Sequence, residues 1–559
     1  MTDLHSIMKL PILLFVLLTA CSSAEGRVHQ SAAALVEAEL IHVTVPLPEP
    51  IGSGFDQGWT TFEDAIRERT FYVSSSDGRD SWPGVDPKRP KRTIAAAKEL
   101  LRDGHADTLL LKRGDRFEGG LGQWKKSGRH RAHPMLISSY GESAQRPVLS
   151  VGEGGGLMTH GGGGSPPRID HIAIVGLHFL ADRPKGKNDA AGVSWHQPGR
   201  DFLIEDCVFE RFSTGLVIQA IDGRHENFRL RRSVIIDSFN TAGGNPQGIY
   251  VVHVDGVLIE ECVFDQNGWM PGIDGAGADI FSHNLYIDTN NSGVVVRDNI
   301  IASGASHGIQ MRSGGVCEGN LLVRNSIALM MAGRSGPKKE SAIARKNVIL
   351  DGKNIDEENP RGWGIDFNDI VSGEISGNLI ANNSDGGFPL PIMLNGDGYG
   401  KHVHKVHVTG NVISDWRGPV QFLGGSASLS QIVFTGNVLQ SRIDDEPAFE
   451  LSNRSAAGSI SSHGNRIFYG VDGGWMRIES KRRDIAWWLD ELSDTSSTRK
   501  RVSFDDSTRS VASWNQQQGG EASHEAFMKE VRKQSRSNWR EEYTAPAVNR
   551  YVRAGFDLE

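Results

Sequence analysis

Residues 318–323 read EGNLLV, 345–350 RKNVIL, 376–381 SGNLIA, 409–414 TGNVIS, 435–440 TGNVLQ and 463–468 HGNRIF. Each places an asparagine ahead of a short apolar run. Toward the N-terminus the same frame accepts VRDNII (296–301), EECVF (260–264), RRSVII (231–236) and IEDCVF (204–209). One position is therefore shared by Cys207, Ser233, Cys262, Asn299, Asn320, Asn347, Asn378, Asn411, Asn437 and Asn465, at steps from 21 residues (299 to 320) to 37 (262 to 299). A period of this size marks a stacked solenoid, because one such unit cannot bury its own apolar face and needs a neighbour on each side. An asparagine at one turn of successive coils passes amide hydrogen bonds up the stack where water is excluded. Cys207 and Cys262 read as small buried residues filling the same slot.

A second strand lies between these positions: GIYVV (248–252), NLYID (284–288), GIQMR (308–312), ALMMA (328–332), GIDFN (364–368), PIMLN (391–395), PVQFL (419–423) and AFELS (448–452). Strict alternation turns Ile249, Leu285, Ile309, Leu329, Ile365, Ile392, Val420 and Phe449 inward. The residues between them face out.

The ends and the composition bound the rest. MKLPILLFVLLTAC (8–21) is an apolar run behind one lysine, too short to span a membrane and shaped like a signal peptide. Leu18-Thr19-Ala20-Cys21 resembles a bacterial lipobox, which predicts an exported protein lipidated at Cys21 and anchored at the outer membrane; ordinary secretion to the periplasm or cell surface is the alternative. Beyond Cys21 only three cysteines remain, Cys207, Cys262 and Cys317, too few for a disulfide framework. Sixty basic against 68 acidic residues, with no basic arm, argue against a nucleic-acid partner. The 66 glycines suit many tight turns between short strands. The expected organisation is a signal peptide (1–21), a lead-in (22–68), a solenoid (69–480) and a C-terminal helical extension (481–559) with helices near 484–492 and 522–536. That extension is expected to cover the open end of the stack or to pack on its side, since uncovered strands would expose their edges.

FYVSSSDGRDSWPGVDPKRPKRTIAAAKELL (71–101) followed by DTLLLKRGDRF (107–117) is a strand, a loop, a capping helix near 93–102 and a first coil. With the repeat, this start resembles the right-handed parallel β-helix proteins of the pectate-lyase-like superfamily over roughly residues 70–480. The resemblance implies an all-β fold, a single-stranded right-handed parallel β-helix with an N-terminal capping helix, and action on a polysaccharide; the chain is expected to be a monomer. In that superfamily the usual chemistry is β-elimination on acidic polysaccharides, with glycoside hydrolases as a large minority.

In a stack of coils the outward residues form columns about 4.8 Å apart along the axis. One column runs Tyr250, Tyr286, Gln310, Met330, Asp366; a second runs Val252, Asp288, Arg312, Ala332, Asn368, Asn395. His283 and His307 precede inward residues by two, so alternation buries them, while Ser282 and Ser306 suggest a turn from which they reach the groove. Elimination needs a partner for the uronate carboxylate, a base for the C5 proton and an acid for the leaving oxygen. Arg312 with Asn284 or Asn368 suits the first, His307 or His283 the second, and Tyr286 the third, or the tyrosine serves as both base and acid. Tyr250, Asp288, Gln310 and Asp366 are expected to line the substrate, with Trp269 and Trp363 on the rim beside the longer loops 265–282 and 333–342. Asp274, Asp279, Lys338 and Lys339 are further rim candidates. The superfamily's usual calcium cluster is not evident, although Asp255, Asp288 and Asp366 leave calcium open as a cofactor. A hydrolase needs two carboxylates roughly 5 to 9.5 Å apart; Asp366 with Asp369 or Asp397 fits better than Asp366 with Asp288, which lie three coil steps apart. A non-catalytic glycan-binding surface protein is the third reading.

Overall fold

The computed structural model describes residues 47–62, 68–160, 168–182, 190–333, 340–383, 387–398, 402–442, 446–469 and 475–557. Cys21, Lys338 and Lys339 lie outside the described residues. Among the described residues no helix is long and apolar enough to cross a membrane.

The chain winds through three strands per coil and builds three long sheets. The first runs from Thr70–Val73 to Ile460–His463, the second from Arg116–Glu118 to Thr498–Arg499, and the third from Gly122–Gln123 to Lys481–Arg483. Neighbouring strands are parallel throughout, apart from the last strand of the third sheet, which folds back antiparallel on Met476–Ile478. In the third sheet Ile249, Leu285, Ile309, Leu329, Ile365 and Ile392 stand in register and are fully buried, as alternation predicts.

The repeated asparagine is the corner between the first and second sheets. From Asn299 to Asn437 each amide nitrogen donates to the Oδ1 of the next asparagine, and each Oδ1 also accepts from the preceding backbone N–H, at 2.9–3.1 Å. Ser233 fills the slot with its hydroxyl, which accepts from the Cys207 N–H at 3.1 Å. All three described cysteines are buried free thiols, and burial pushes the Cys207 thiol up to about 12. A thiol held protonated is inert, which suits a packing role.

Both ends are closed. At the N-terminal end the helix Ile94–Lys98 is capped by Thr93, whose hydroxyl accepts from the Ala96 N–H, and it buries Ile94 and Ala97 over the first coil. It is shorter than the expected 93–102 because the chain tightens after Lys98 into three-residue turns, with Leu100 N–H donating to Ala97 and Leu101 N–H to Lys98. At the other end the helix Ile485–Glu491 lays Trp488 over the exposed coil face, 4.1 Å from the Phe449 ring centroid. Ser497 then receives the last ladder donors, the Asn465 N–H at 2.8 Å and its amide at 3.2 Å.

The remaining chain packs on the side of the stack. Helices Val511–Gln517, His524–Val531 and Ala545–Ala554 set Val511, Phe527, Val531, Val548 and Val552 against the outward face of the second sheet, on residues such as Leu321, Val323, Val348 and Leu350. The extension therefore covers both the end and one side. Phe527→Ala, at a fully buried position, is expected to cost about 3–5 kcal/mol and to make the helices after residue 510 the first site of proteolytic cleavage, read by limited proteolysis with mass spectrometry.

Candidate functional site

With one side of the coil under helices, the outward face of the third sheet is the surface on which the chain gathers tyrosines, histidines and an arginine. The strands Gln247–Val252, His283–Ile287, His307–Met311, Ile327–Ala332 and Trp363–Asn368 pair so that Tyr250, Tyr286, Gln310, Met330 and Asp366 stand in one row. A second row holds Ala332, Asn368 and Asn395. Three of these strands carry a glycine at their second position, Gly248, Gly308 and Gly364, where the chain packs closely: a Cβ on Gly248 would sit 2.3 Å from the Asn284 carbonyl oxygen.

The two histidines face this groove beside the tyrosines. Their rings meet edge to face at 4.5 Å, with the Nδ1 atoms 3.2 Å apart. Gln310 Nε2 lies 3.3 Å from His307 Nε2, and Ser306 Oγ lies 2.8 Å from His307 Nδ1. The His283 ring stands perpendicular to Tyr286 at 5.3 Å. Burial pushes His283 down to about 3, helped by the nearby Arg312 charge. Burial, then His283 and Arg312, also hold His307 well below the usual imidazole value. Both are neutral at any ordinary pH. As the Gln310 amide is oriented, its N–H donates to His307 Nε2, so His307 carries its proton on Nδ1 and can donate to His283 Nδ1. His283 then keeps a proton on Nε2 and acts as a neutral donor.

Arg312 reaches across the next coil. Its guanidinium lies 6.0 Å from the Tyr286 ring centroid and donates to the Gly333 carbonyl at 2.9 Å. The Tyr250 hydroxyl donates to Asp288 at 3.2 Å, and the Tyr250 and Tyr286 rings lie 5.3 Å apart. Asp288 and Arg312, adjacent in the sequence-derived column, thus take different partners.

Asp366 closes the row. It is buried, its Oδ1 has no hydrogen-bond partner among the described residues, and the same holds for Asn368 Nδ2. Burial pushes its carboxyl up to about 7 against the smaller opposing effects of Asn368 and Arg312. A folded value raised above the ordinary 3.8 gives a stability contribution fully present below about pH 4 and lost as pH rises through about 7. Asp366→Asn is expected to remove that segment of the stability profile, read as Tm between pH 4 and pH 8.

Other expected site residues are placed elsewhere. Asn284 points into the core, where its amide donates to the Ala302 carbonyl at 2.9 Å and Asn325 Oδ1 at 3.2 Å, and its Oδ1 accepts from Asn267 at 2.8 Å. It belongs to a second internal asparagine ladder and does not reach the groove. Trp269 does not stand on the groove rim. Its indole donates to the Ser303 carbonyl at 2.8 Å, in a cleft between the second sheet and the C-terminal helices. Trp363 does stand on the groove face, two coils beyond His307 in the same row, with its indole donating to the Phe388 carbonyl at 3.0 Å and Arg361 over its ring at 5.1 Å. Asp279 caps its own loop by accepting from Ser282 and from the Phe281 N–H, and Asp274 is exposed. Asp255 is on the first sheet, paired with Arg224, and is not brought to Asp288 or Asp366. Among the described residues no group of three or more His, Cys, Asp or Glu is arranged to hold a metal ion.

Residues 187–347 match a family model described as the right handed beta helix region. A curated relative, the lacto-N-biosidase of Bifidobacterium longum subsp. longum, is 28% identical over 160 residues, which is 28% of this chain and only 9% of that protein's length. Among solved structures, an alginate lyase from a Paenibacillus species is 18% identical, covers 57% of this chain and 96% of its own, and has a TM-score of 0.40. The tailspike protein of E. coli bacteriophage HK620, solved with a pentasaccharide, is 12% identical, covers 70% of this chain and 73% of its own, and has a TM-score of 0.44. The stacked register, the asparagine ladder and the matched family model together make this chain a right-handed parallel β-helix protein.

Proposed function

We propose that the protein is a carbohydrate-active enzyme that cleaves a uronate-containing polysaccharide by β-elimination at the third-sheet groove. The observation that carries the reading is one ring, Tyr286, with the Arg312 guanidinium 6.0 Å from its centroid and the neutral His283 edge-on at 5.3 Å. A polysaccharide lying along the axis from Tyr250 to Asp366 would span four coil steps, roughly 19 Å, enough for several sugar rings. Arg312 and the Asn368 amide meet the carboxylate, which acidifies the C5 proton. Tyr286, ionised to the phenolate, takes that proton as the C4–O bond breaks and C4=C5 forms, and it passes the same proton to the leaving oxygen, which restores the phenolate. The Arg312 charge beside the ring favours the phenolate over the neutral phenol. His283 fits as a neutral hydrogen-bond donor: an imidazole whose proton leaves near pH 3 is too weak a base for a C–H proton, and His307, also held well below the usual imidazole value, orients it.

Hydrolysis is the second reading, and Asp366 favours it, because a carboxyl held protonated to about pH 7 is a ready general acid. Asp288 is three coil steps away, roughly 14 Å along the axis and beyond the span of a carboxylate pair. The partner in that case is Asp397, whose neighbour Gly398 packs so closely on Asn368 that a Cβ there would sit 2.5 Å from its Oδ1. Products decide between the two readings. Elimination leaves a C4–C5 double bond that absorbs in the ultraviolet, whereas hydrolysis yields saturated reducing ends without it. The expected result is ultraviolet-absorbing product from at least one uronate polysaccharide, unaffected by Asp397→Asn. We further propose export with lipidation at Cys21, tested by mass analysis of the mature N-terminus.

A further inference from the structure

A second cleft, of about 650 Å³, opens between the second sheet and the helix His524–Val531. Its walls include Asp265, Trp269, Ser303, Lys353, His524 and Arg532. Arg324 and Lys529 stand at the same cleft, so four cationic side chains face two carboxylates, Asp265 and Glu525. Those carboxylates are already engaged. Arg532 donates to Asp265 at 2.6 Å and to Asp237 behind it at 2.9 and 3.0 Å, and Arg324 donates to Glu525 at 2.7 Å. His524 adds no charge near neutrality, since burial pushes it down to about 4.

Lys353 and Lys529 remain, and of the two Lys529 is exposed while Lys353 is half-buried. The Lys353 ammonium lies over the Trp269 ring at 4.7 Å and has neither a carboxylate within ion-pair distance nor a hydrogen-bond acceptor among the described residues. Burial holds it down to about 8, only partly offset by Asp265. A half-buried ammonium without an acceptor, beside an aromatic wall and a cleft of sugar size, is an arrangement that an incoming anion would complete.

We propose that this cleft binds an oxyanion-bearing ligand of sugar size, whose carboxylate or phosphoryl oxygens meet Lys353 while Trp269 walls the ring. The site is separate from the groove and does not depend on the reaction assigned there.

Calorimetric titration and thermal shift of the full chain with glucuronate, inorganic phosphate, sulfate and glucose as the uncharged control test it. At least one oxyanion is expected to bind and raise Tm, glucose is not, and Lys353→Met is expected to weaken binding at least about tenfold. Binding of glucuronate with phosphate and sulfate silent assigns the site to acidic sugars; binding of phosphate assigns it to phosphoryl ligands. A probe that needs no variant is acylation of Lys353 in the wild-type protein, read by peptide mass, which is expected to slow when the bound anion is saturating. The proposal is overturned if no oxyanion binds, if Lys353→Met binds as well as wild type, or if the acylation rate of Lys353 is the same with and without ligand.

Discussion

Arg312→Ala is expected to lower kcat/KM on a uronate polysaccharide by roughly 10²–10³-fold, the usual cost of removing a donor aimed at developing negative charge. Most of the loss should appear in kcat, because the guanidinium contributes more to the enolate-like transition state than to the bound sugar. The side chain is placed for this by its own coil. Arg312 N–H donates to the Ile287 carbonyl at 2.8 Å, and the guanidinium is steadied by the Gly333 carbonyl. Arg312→Lys keeps the charge but not the planar fork, and should recover only part of the loss. Steady-state kinetics by ultraviolet absorbance measures all three proteins. Equal activity in wild type and Arg312→Ala would remove the groove from the account.

Asn347→Ala is expected to destabilise the protein by about 3–5 kcal/mol, since each buried polar group left without a partner costs roughly 1–3 kcal/mol. The asparagine occupies the middle of the ladder. Its Oδ1 accepts from the Asn320 N–H and amide, both at 3.0 Å, and its amide donates to the Cys317 carbonyl and to Asn378 Oδ1, both also at 3.0 Å. Asn347 is fully buried, so bulk solvent does not stand in for the lost partners. Asn347→Ser should be milder, because Ser233 shows that a hydroxyl in the same slot still receives the preceding backbone N–H. Urea unfolding of the three proteins gives the ordering.

These two residues also show what the sequence can and cannot reveal. Asn347 is legible because the ladder repeats one residue type at one phase of the coil, and a repeated buried amide has few other uses. The rows on the third sheet are legible because alternation transfers unchanged from coil to coil, so Tyr250, Tyr286, Gln310, Met330 and Asp366 fall into register whatever the loops between them do. Alternation fails at the corners. Asn284 and Leu285 are consecutive and both point inward, since the strand begins with a bend and not with a pleat. The signal for Asn284 was there in Asn267 and Asn325, which stack on it from neighbouring coils. Trp269 lies away from the groove because its loop leaves the second sheet and returns to the third, and the sequence does not say which side the loop covers. The extension's grip on the second sheet also had a trace. LLV at 321–323 and VIL at 348–350 are apolar on both faces, as strands covered on both sides are. What the sequence lacks altogether is the electrostatic state of the groove. Neutral histidines and a protonated Asp366 come from burial, which depends on every coil packed around them.

The most direct test of the central claim is ultraviolet absorbance during incubation of wild type and Tyr286→Phe with a panel of uronate polysaccharides. The account predicts a rise with wild type on at least one substrate and a rate roughly 10²–10⁴-fold lower in Tyr286→Phe, the range for loss of a proton-transfer group. A wild-type rise that survives intact in Tyr286→Phe, or no rise on any uronate polysaccharide, would contradict it.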